Sequence, residues 1–483
     1  MSSVVEFDEL SESGRTPGVF AEFNARLASS YLPTNRQTVR IIAQRIATNS
    51  PVAASNTPVT VFSAAEAATI FGAGSQCHLM ARAAFRANPS VALGICAVDD
   101  PVGGDKATGS LGLTGTATKS GTVILQVASI KVSVAVAKGD TGRDVLIGLR
   151  NLLAQYRPEI PVTFTFNTAS VEDVMPFTAK QKGAVGNAIP LALKIVGVTG
   201  LTRTLTPMSG GDGVPSLTAA LAAIYALGDN VLVTPFDDAT SVGVMRTHIE
   251  AVSGGGEMRG TVGVIAHTGS YGTAVAMASS INSSRVLLAW LRNSPAVAYE
   301  VSAAVAAVAA GEEDPARPLN GLALAGIAAP AAPYRTSVGE VEACLYNGVT
   351  PLVVSADGRE TVQIKRAVMT YTKSDEGMID PSWLDITSIR TMDYVRMAWR
   401  QMMVLQFPRE KMTARTIRAI RSATLNLLLK CEDRLEILQN VMSYKDQLIF
   451  VPSDQQAGTL VGRVPCNVVP GLHRVMAVFD LIL

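Results

Sequence analysis

Apolar and polar residues follow several distinct patterns along this chain, and each pattern predicts a different kind of element. Between Val4 and Ala28 the residues Val4, Val5, Phe7, Val19, Phe20 and Phe23 are scattered among acids, Gly and Pro without helical periodicity, which predicts an extended arm. From Thr38 the apolar residues cluster. Val39 to Ile42 predicts a strand, Ser63 and Glu66 form a capping box that opens a helix through Phe71, and Ser90 to Val98 predicts another strand. Between Gly103 and Ala137 the chain is rich in Thr, Gly, Ser and Val, with alternation over Thr122 to Val127 and Lys131 to Val136. That change in composition predicts an inserted, β-rich domain, ending at the glycine cluster Met208 to Gly213.

Beyond the cluster, helices and strands alternate. Helices are predicted over Ser216 to Leu227, Ala239 to Ala251 and Thr273 to Ile281, and strands over Asn230 to Thr234, Thr261 to His267 and Arg285 to Leu291. Such alternation builds βαβ units in an α/β sheet. A last region carries strands over Thr350 to Val354 and Thr361 to Tyr371, then a helical stretch from Arg409 to Tyr444. There Ile417, Ile420, Thr424, Leu428, Cys431, Leu435, Leu438 and Met442 keep 3,4 spacing and share one helix face. The chain closes on an apolar run from Arg474 to Leu483 with no polar tail, which predicts a strand paired in a sheet, of this subunit or another.

The predicted architecture is an α/β core domain with an inserted β-rich domain and a C-terminal α+β domain, flanked by an extended N-terminal arm and a C-terminal strand. Its divisions are 1–30 (arm), 31–100 and 209–335 (core), 101–208 (insertion) and 336–483 (C-terminal domain). With 483 residues and 48% hydrophobic content the chain holds several cores, since one core rarely extends past about 250–300 residues.

Charge narrows the candidate partners. Forty-one Lys plus Arg against 40 Asp plus Glu leave +1, so no global field favours nucleic acid or an anionic membrane. The first thirty residues lack a signal-peptide pattern. The most apolar window, Ala296 to Ala310, contains Glu300 and is shorter than the roughly 20 residues a membrane span needs, so it is read as a buried helix. The five cysteines Cys77, Cys96, Cys344, Cys431 and Cys466 are spaced singly and are read as free buried thiols, with bonds between subunits left open.

No catalytic pattern emerges. There is no phosphate loop; Gly72 and Gly74 lack the third glycine of a dinucleotide fingerprint and follow a helix rather than a strand. His78, His248, His267 and His473 lie far apart without metal-ligand spacing. The acid pairs Asp99-Asp100 and Asp237-Asp238, and Glu312 to Asp314, are read as caps and turn residues. No cofactor or metal is expected. One local charge feature remains: Lys411, Arg415 and Arg418 recur at i, i+4, i+7, with Arg409 and Arg421 nearby, as a basic stripe that is either a solvated face or a contact for an acidic surface.

Several segments, in family order over nearly the whole chain, resemble Mu-like tail sheath proteins. They include Arg15 to Asn24, Thr69 to Ser75 with Ala87 to Pro89, Lys182 to Asn187 and Met208 to Gly211. The most specific are Asp229 to Ala239 and Asp314 to Leu319; Trp383 to Thr387 and Tyr394 to Arg396 continue the match. The resemblance implies a non-enzymatic virion subunit, assembled in the host cytoplasm. Its copies form a helical homo-polymer around a tail tube protein, attach to baseplate and tail-terminator proteins, and shorten to drive the tube through the host envelope. It also implies that terminal arms lend strands to neighbours, which assigns Val4, Val5 and Phe7 to one arm and Val475, Val478, Phe479 and Leu481 to the linking strand. Lys411, Arg415 and Arg418 are expected to approach the tube. The alternatives are the sheath of a headless injection particle and, from another class, an α/β enzyme with a pocket at its strand ends.

Overall fold

The computed structural model describes Gly18 and residues 32–47, 54–166 and 173–482. Of the segment Met1–Asn35, only Gly18 and residues 32–35 are described, without helix or strand; the predicted arm residues Val4, Val5 and Phe7 lie outside the described residues. Arg36–Leu483 forms one compact unit.

The unit starts with β1 (Thr38–Gln44), β2 (Pro58–Val61), α1 (Ala64–Phe71), α2 (Gln76–Ala87) and β3 (Ala92–Val98). The expected cap is present: the Ser63 side chain accepts from the Glu66 backbone N–H. The insertion follows, with β4 (Thr108–Lys119), β5 (Gly121–Val127), β6 (Ile130–Val136), α3 (Gly142–Leu153), β7 (Val162–Phe164), β8 (Val174–Ala179), β9 (Leu191–Val196) and β10 (Thr199–Ser209). It folds as a four-stranded sheet, order β10-β4-β8-β7, and a three-stranded sheet, order β6-β5-β9.

The core resumes with α4 (Thr218–Ile224), β11 (Val231–Val233), α5 (Ala239–Ser253), β12 (Val262–His267), α6 (Tyr271–Ile281), β13 (Val286–Trp290) and α7 (Ala298–Gly311). It continues through α8 (Val338–Tyr346), β14 (Thr350–Val354) and β15 (Val362–Ile364). Its sheet has eight strands in the order β15-β14-β13-β12-β11-β1-β3-β2, parallel from β14 to β3. The core therefore extends past the expected boundary at 335, because α8 carries the chain into β14 beside β13.

Helices cover both faces of this sheet, which is why its strands read as near-continuous apolar runs. Val39, Ile41 and Ala43 face one cluster with Phe71, Leu79 and Val301; Ile42 faces another with Leu221, Ile249 and Trp290. The apolar window is buried as α7, and its Glu300 pairs with Arg82 of α2 at 2.6 Å. Buried Arg40 forks onto Asp229 at 2.9 and 3.0 Å, joining β1 to the start of β11; its guanidinium lies over Gly94, where any Cβ would sit 2.1 Å from it.

The last region holds α9 (Ile386–Gln406), α10 (Ala414–Asp433), β16 (Ile449–Pro452) and β17 (Leu460–Arg463), the last two an isolated antiparallel hairpin. Helix α9 lies outside the predicted elements. Asp393 of α9 is gripped by Arg285 at 2.8 and 2.9 Å and by Arg396 at 2.8 Å, and Arg366 forks onto Asp385 at 2.9 and 2.8 Å. The helix predicted over Arg409 to Tyr444 is shorter. Glu436 and Asn440 take left-handed backbone conformations that an α-helix does not accommodate, and a 3₁₀ turn follows over Val441–Gln447.

Candidate assembly interface

The carboxyl ends of the strands in a doubly wound sheet are the usual place for a ligand, at the point where strand order reverses. In this sheet the reversal lies between β1 and β11, and the chain's own side chains fill the β1 end. Gln44, fully buried there, donates from Nε2 to Asp100 Oδ1 at 2.8 Å and to the Lys182 carbonyl at 2.9 Å, and accepts from Gln76 Nε2 at 2.7 Å. Gln181 of the insertion accepts from the Gln76 backbone N–H at 2.9 Å. Burial raises the Asp100 carboxyl above its ordinary value.

A second polar group lies at the ends of β11 and β12. His267 Nδ1 is 3.4 Å from Asp237 Oδ2 and Nε2 is 2.8 Å from Thr273 Oγ1. The Thr273 hydroxyl also donates to the Ser270 carbonyl at 2.8 Å, and Ser270 caps α6 by accepting from the Thr273 backbone N–H. The group is built as a helix cap. Asp238, as expected of a capping acid, accepts from the Ser241 N–H at the start of α5.

The unit's unspent apolar surface lies elsewhere. After the bridge between Leu438 and Val468, His473 anchors the chain: Asn320 Nδ2 is 2.8 Å from its Nδ1, and Asp385 Oδ1 is 3.5 Å from its Nε2. From Arg474 to Ile482 every residue is exposed and none is in a strand; Phe479 is 95% exposed and Ile482 91%. Burying one such side chain is worth about 1.5–3 kcal/mol, so this run forgoes several times that within its own chain.

Hairpin β16–β17 supplies the complementary feature. Both of its outer edges lack a neighbouring strand among the described residues, and Ile449, Val451 and Val461 are about half exposed. A third surface surrounds the start of α10. Arg415 and Arg418 are exposed on its first turns, Lys411 is exposed in the preceding loop, and Thr413 caps the helix. None of the three cations has a carboxylate partner among the described residues. Cations at the positive end of a helix dipole are mildly unfavourable, so folding does not explain them. Beside them in the chain, Val404 and Leu405 at the end of α9 are 64% and 74% exposed, and Met412 is 43% exposed.

The family model described as the phage tail sheath protein central domain matches residues 210–370, and that of the phage tail sheath C-terminal domain matches residues 379–482. The Mu-like prophage FluMu tail sheath protein of Haemophilus influenzae is 30% identical over 416 residues, covering 84% of this chain and 83% of that protein. The chain belongs to the phage tail sheath family. A chain of the anti-feeding prophage baseplate structure shares the fold at TM-score 0.50, with 10% identity, covering 97% of this chain and 100% of that one. The sheath tail protein of Desulfitobacterium hafniense aligns at TM-score 0.49, with 14% identity, covering 94% of this chain and 100% of that one.

As a member of this family the chain is a phage tail sheath protein, a structural component of a phage tail. In this sheath chain Val475, Val478, Phe479 and Leu481 are exposed and outside any strand, where sequence predicts a paired strand. Lys411, Arg415 and Arg418 share the start of α10, although Lys411 falls before the helix and the i, i+4, i+7 stripe is broken at its first member. The hairpin and the Val404–Leu405 pair went unpredicted; alternating Ile449 and Val451 were the available signal for the first.

Proposed function

We propose that this sheath chain polymerises helically around the tail tube and that its copies are linked by strand addition. The C-terminal run Val475, Val478, Phe479 and Leu481 adds to an open edge of hairpin β16–β17 on a neighbouring copy. What supports this reading is that, among the described residues, an exposed apolar segment lacks a strand partner and a two-stranded hairpin lacks flanking strands. Backbone hydrogen bonds supply the link, and side chains alternating across the added strand set its register. Val4, Val5 and Phe7 form the second linking arm.

A head-to-tail link that does not close on itself generates an open helix. The bodies can rotate while the links hold, so the same subunit reaches two packings of different free energy, the extended one trapped behind a barrier. Contraction then drives the tube through the host envelope for genome delivery, with the work stored at assembly in the host cytoplasm. Baseplate and tail-terminator proteins bound the polymer at its ends. The cations Lys411, Arg415 and Arg418, flanked by Val404, Leu405 and Met412, approach an acidic tube surface.

Negative-stain electron microscopy of purified protein, with and without the tube protein, tests this. Hollow striated cylinders from the full chain, and discrete particles from a chain ending at Arg474, are the expected pair of results. Cylinders of equal length from the shortened chain would remove the C-terminal link.

A further inference from the structure

The two outer edges of hairpin β16–β17 are not equally able to take another strand. Ser453, the residue after β16, donates its backbone N–H to the Thr459 carbonyl at 2.8 Å, so these two form a hydrogen-bonded pair. Such pairs alternate with pairs whose backbone groups point away from each other, and Pro452 opposite Leu460 is the next step along the ladder. The nitrogen of Pro452 therefore faces the outer edge of β16, where it has no hydrogen to donate. Just before that strand the Leu448 carbonyl is already taken by Arg421 Nε of α10 at 2.8 Å. The outer edge of β17 has neither obstacle. By the same alternation the N–H and carbonyl groups of Leu460 and Gly462 point outward, and no proline interrupts Leu460–Arg463.

Side chains alternate as well. Val461 and Arg463 lie opposite Val451 and Ile449 and share their half-exposed apolar face. On the other face Phe450 lies over Gly462, where any Cβ would meet its ring at 2.4 Å. Arg463 is the only residue of the hairpin's two strands with an ionisable side chain. In the run from Val475 to Leu483 the only one is Asp480. Both are exposed, and neither side chain has an ion-pair partner among the described residues.

We propose that Asp480 of one copy pairs with Arg463 of the next, and that this pair sets the register in which the C-terminal segment adds to β17. The inference rests on the strand link proposed above and assigns it an edge and a pairing. With Asp480 beside Arg463, an apolar residue falls beside Val461 whichever way the added strand runs: Val478 if it is parallel to β17, Ile482 if it is antiparallel. A slip of one residue turns Asp480 to the opposite face, the one Phe450 covers. A slip of two sets Arg463 beside Val478 or Ile482 and leaves Asp480 without a cation. Opposite charges directly across two strands attract and like charges repel, so one pair selects one register for an otherwise apolar segment. Donor and acceptor are different surfaces of the same chain. Each copy therefore gives one link and receives one, as an open helix requires.

The test uses the full chain carrying Arg463→Asp, the full chain carrying Asp480→Arg, and an equal mixture of the two, with polymer read by sedimentation and electron microscopy. Melting temperature and gel-filtration size check the folding of each. Either variant alone sets like charges against each other at every link and is expected to pellet several-fold less polymer than wild type. In the mixture the tail of each variant meets the hairpin of the other with opposite charges restored, so polymer is expected to return. Polymer at the wild-type level from either variant alone, or none from the mixture, overturns the pair. A chain ending at Arg474 separates this inference from the reading beneath it. If that chain fails to polymerise while both point variants polymerise normally, the strand link stands and the pair falls; if it polymerises as wild type does, link and pair fail together.

Discussion

Helix α7 and the segment from Val475 to Ile482 are both built mainly from apolar residues, and their surroundings are opposite. Helix α7 lies against α2 and the sheet with nearly every side chain buried, while the C-terminal segment is exposed from end to end. Composition demands burial in both cases and does not say by what. The first finds its partner within the chain; the second has none among the described residues, and the proposed assembly would supply it. The two regions should therefore respond differently to mutation, the body in folding stability and the C-terminal segment in polymer formation.

The body side breaks hardest at the buried fork between Arg40 and Asp229. Asp229→Ala leaves an unpaired guanidinium beneath β1 and should cost about 3–5 kcal/mol in chemical denaturation, whereas a loss under 1 kcal/mol would show the pair to be solvated. A smaller effect belongs to acid. Burial, with Arg82, Lys180 and Arg86 nearby, pushes His78 down to about 4 from 6.5, and burial also lowers His248 and His473. Each of these imidazoles takes up a proton more readily in the unfolded chain, so stability should fall as pH drops from about 6.5 towards 4. His78→Gln should flatten that slope, since glutamine can still accept from the Gly74 N–H that His78 Nδ1 now receives at 3.0 Å.

On the C-terminal side, ending the chain at Arg474 should move the unfolding free energy by no more than about 0.5 kcal/mol, because the removed residues touch little of their own chain, and it should abolish polymer. A large stability loss would mean that the segment belongs to the body after all. The smallest effect on folding is expected at α10. Lys411→Glu/Arg415→Glu/Arg418→Glu replaces cations at a helix N-terminus with anions and should stabilise the monomer by a few tenths of a kcal/mol while weakening co-assembly with the tube. Unchanged co-assembly would remove the tube contact.

The same division explains what could be read in advance. Strands β11 to β13 and helix α7 are legible because partners within the unit bury them, and burial leaves an uninterrupted apolar run. Helix α9 is hidden because its buried face includes Arg390, and its neighbouring Asp393 is held by Arg285, a partner 108 positions away that no local window contains. The helix at α10 reads too long, since Leu435, Leu438 and Met442 keep the spacing while the backbone at Glu436 and Asn440 breaks it. Residues after Arg474 read as a strand, and among the described residues nothing pairs with them. At the candidate site, residue types were legible and geometry was not: the loop position of Lys411 and the open hairpin edges depend on where the chain turns.

One detail at the base of the insertion bears on how such a subunit can vary. The backbones of Asp105 and Asp212 exchange two hydrogen bonds, N to O at 3.1 Å and 3.2 Å, so the insertion leaves and re-enters the body through a single clasp. Everything between them, more than a hundred residues with their own two sheets, is a closed loop whose ends already meet. A graft at that clasp, with a short turn or a foreign domain in place of β4 to β10, asks little further closure entropy of the chain. The body beneath would lose the clamps that Arg82 makes to Ser129 and Glu159 and the bonds of Gln44 to Lys182 and of Gln76 to Gln181, but none of the eight strands of its own sheet.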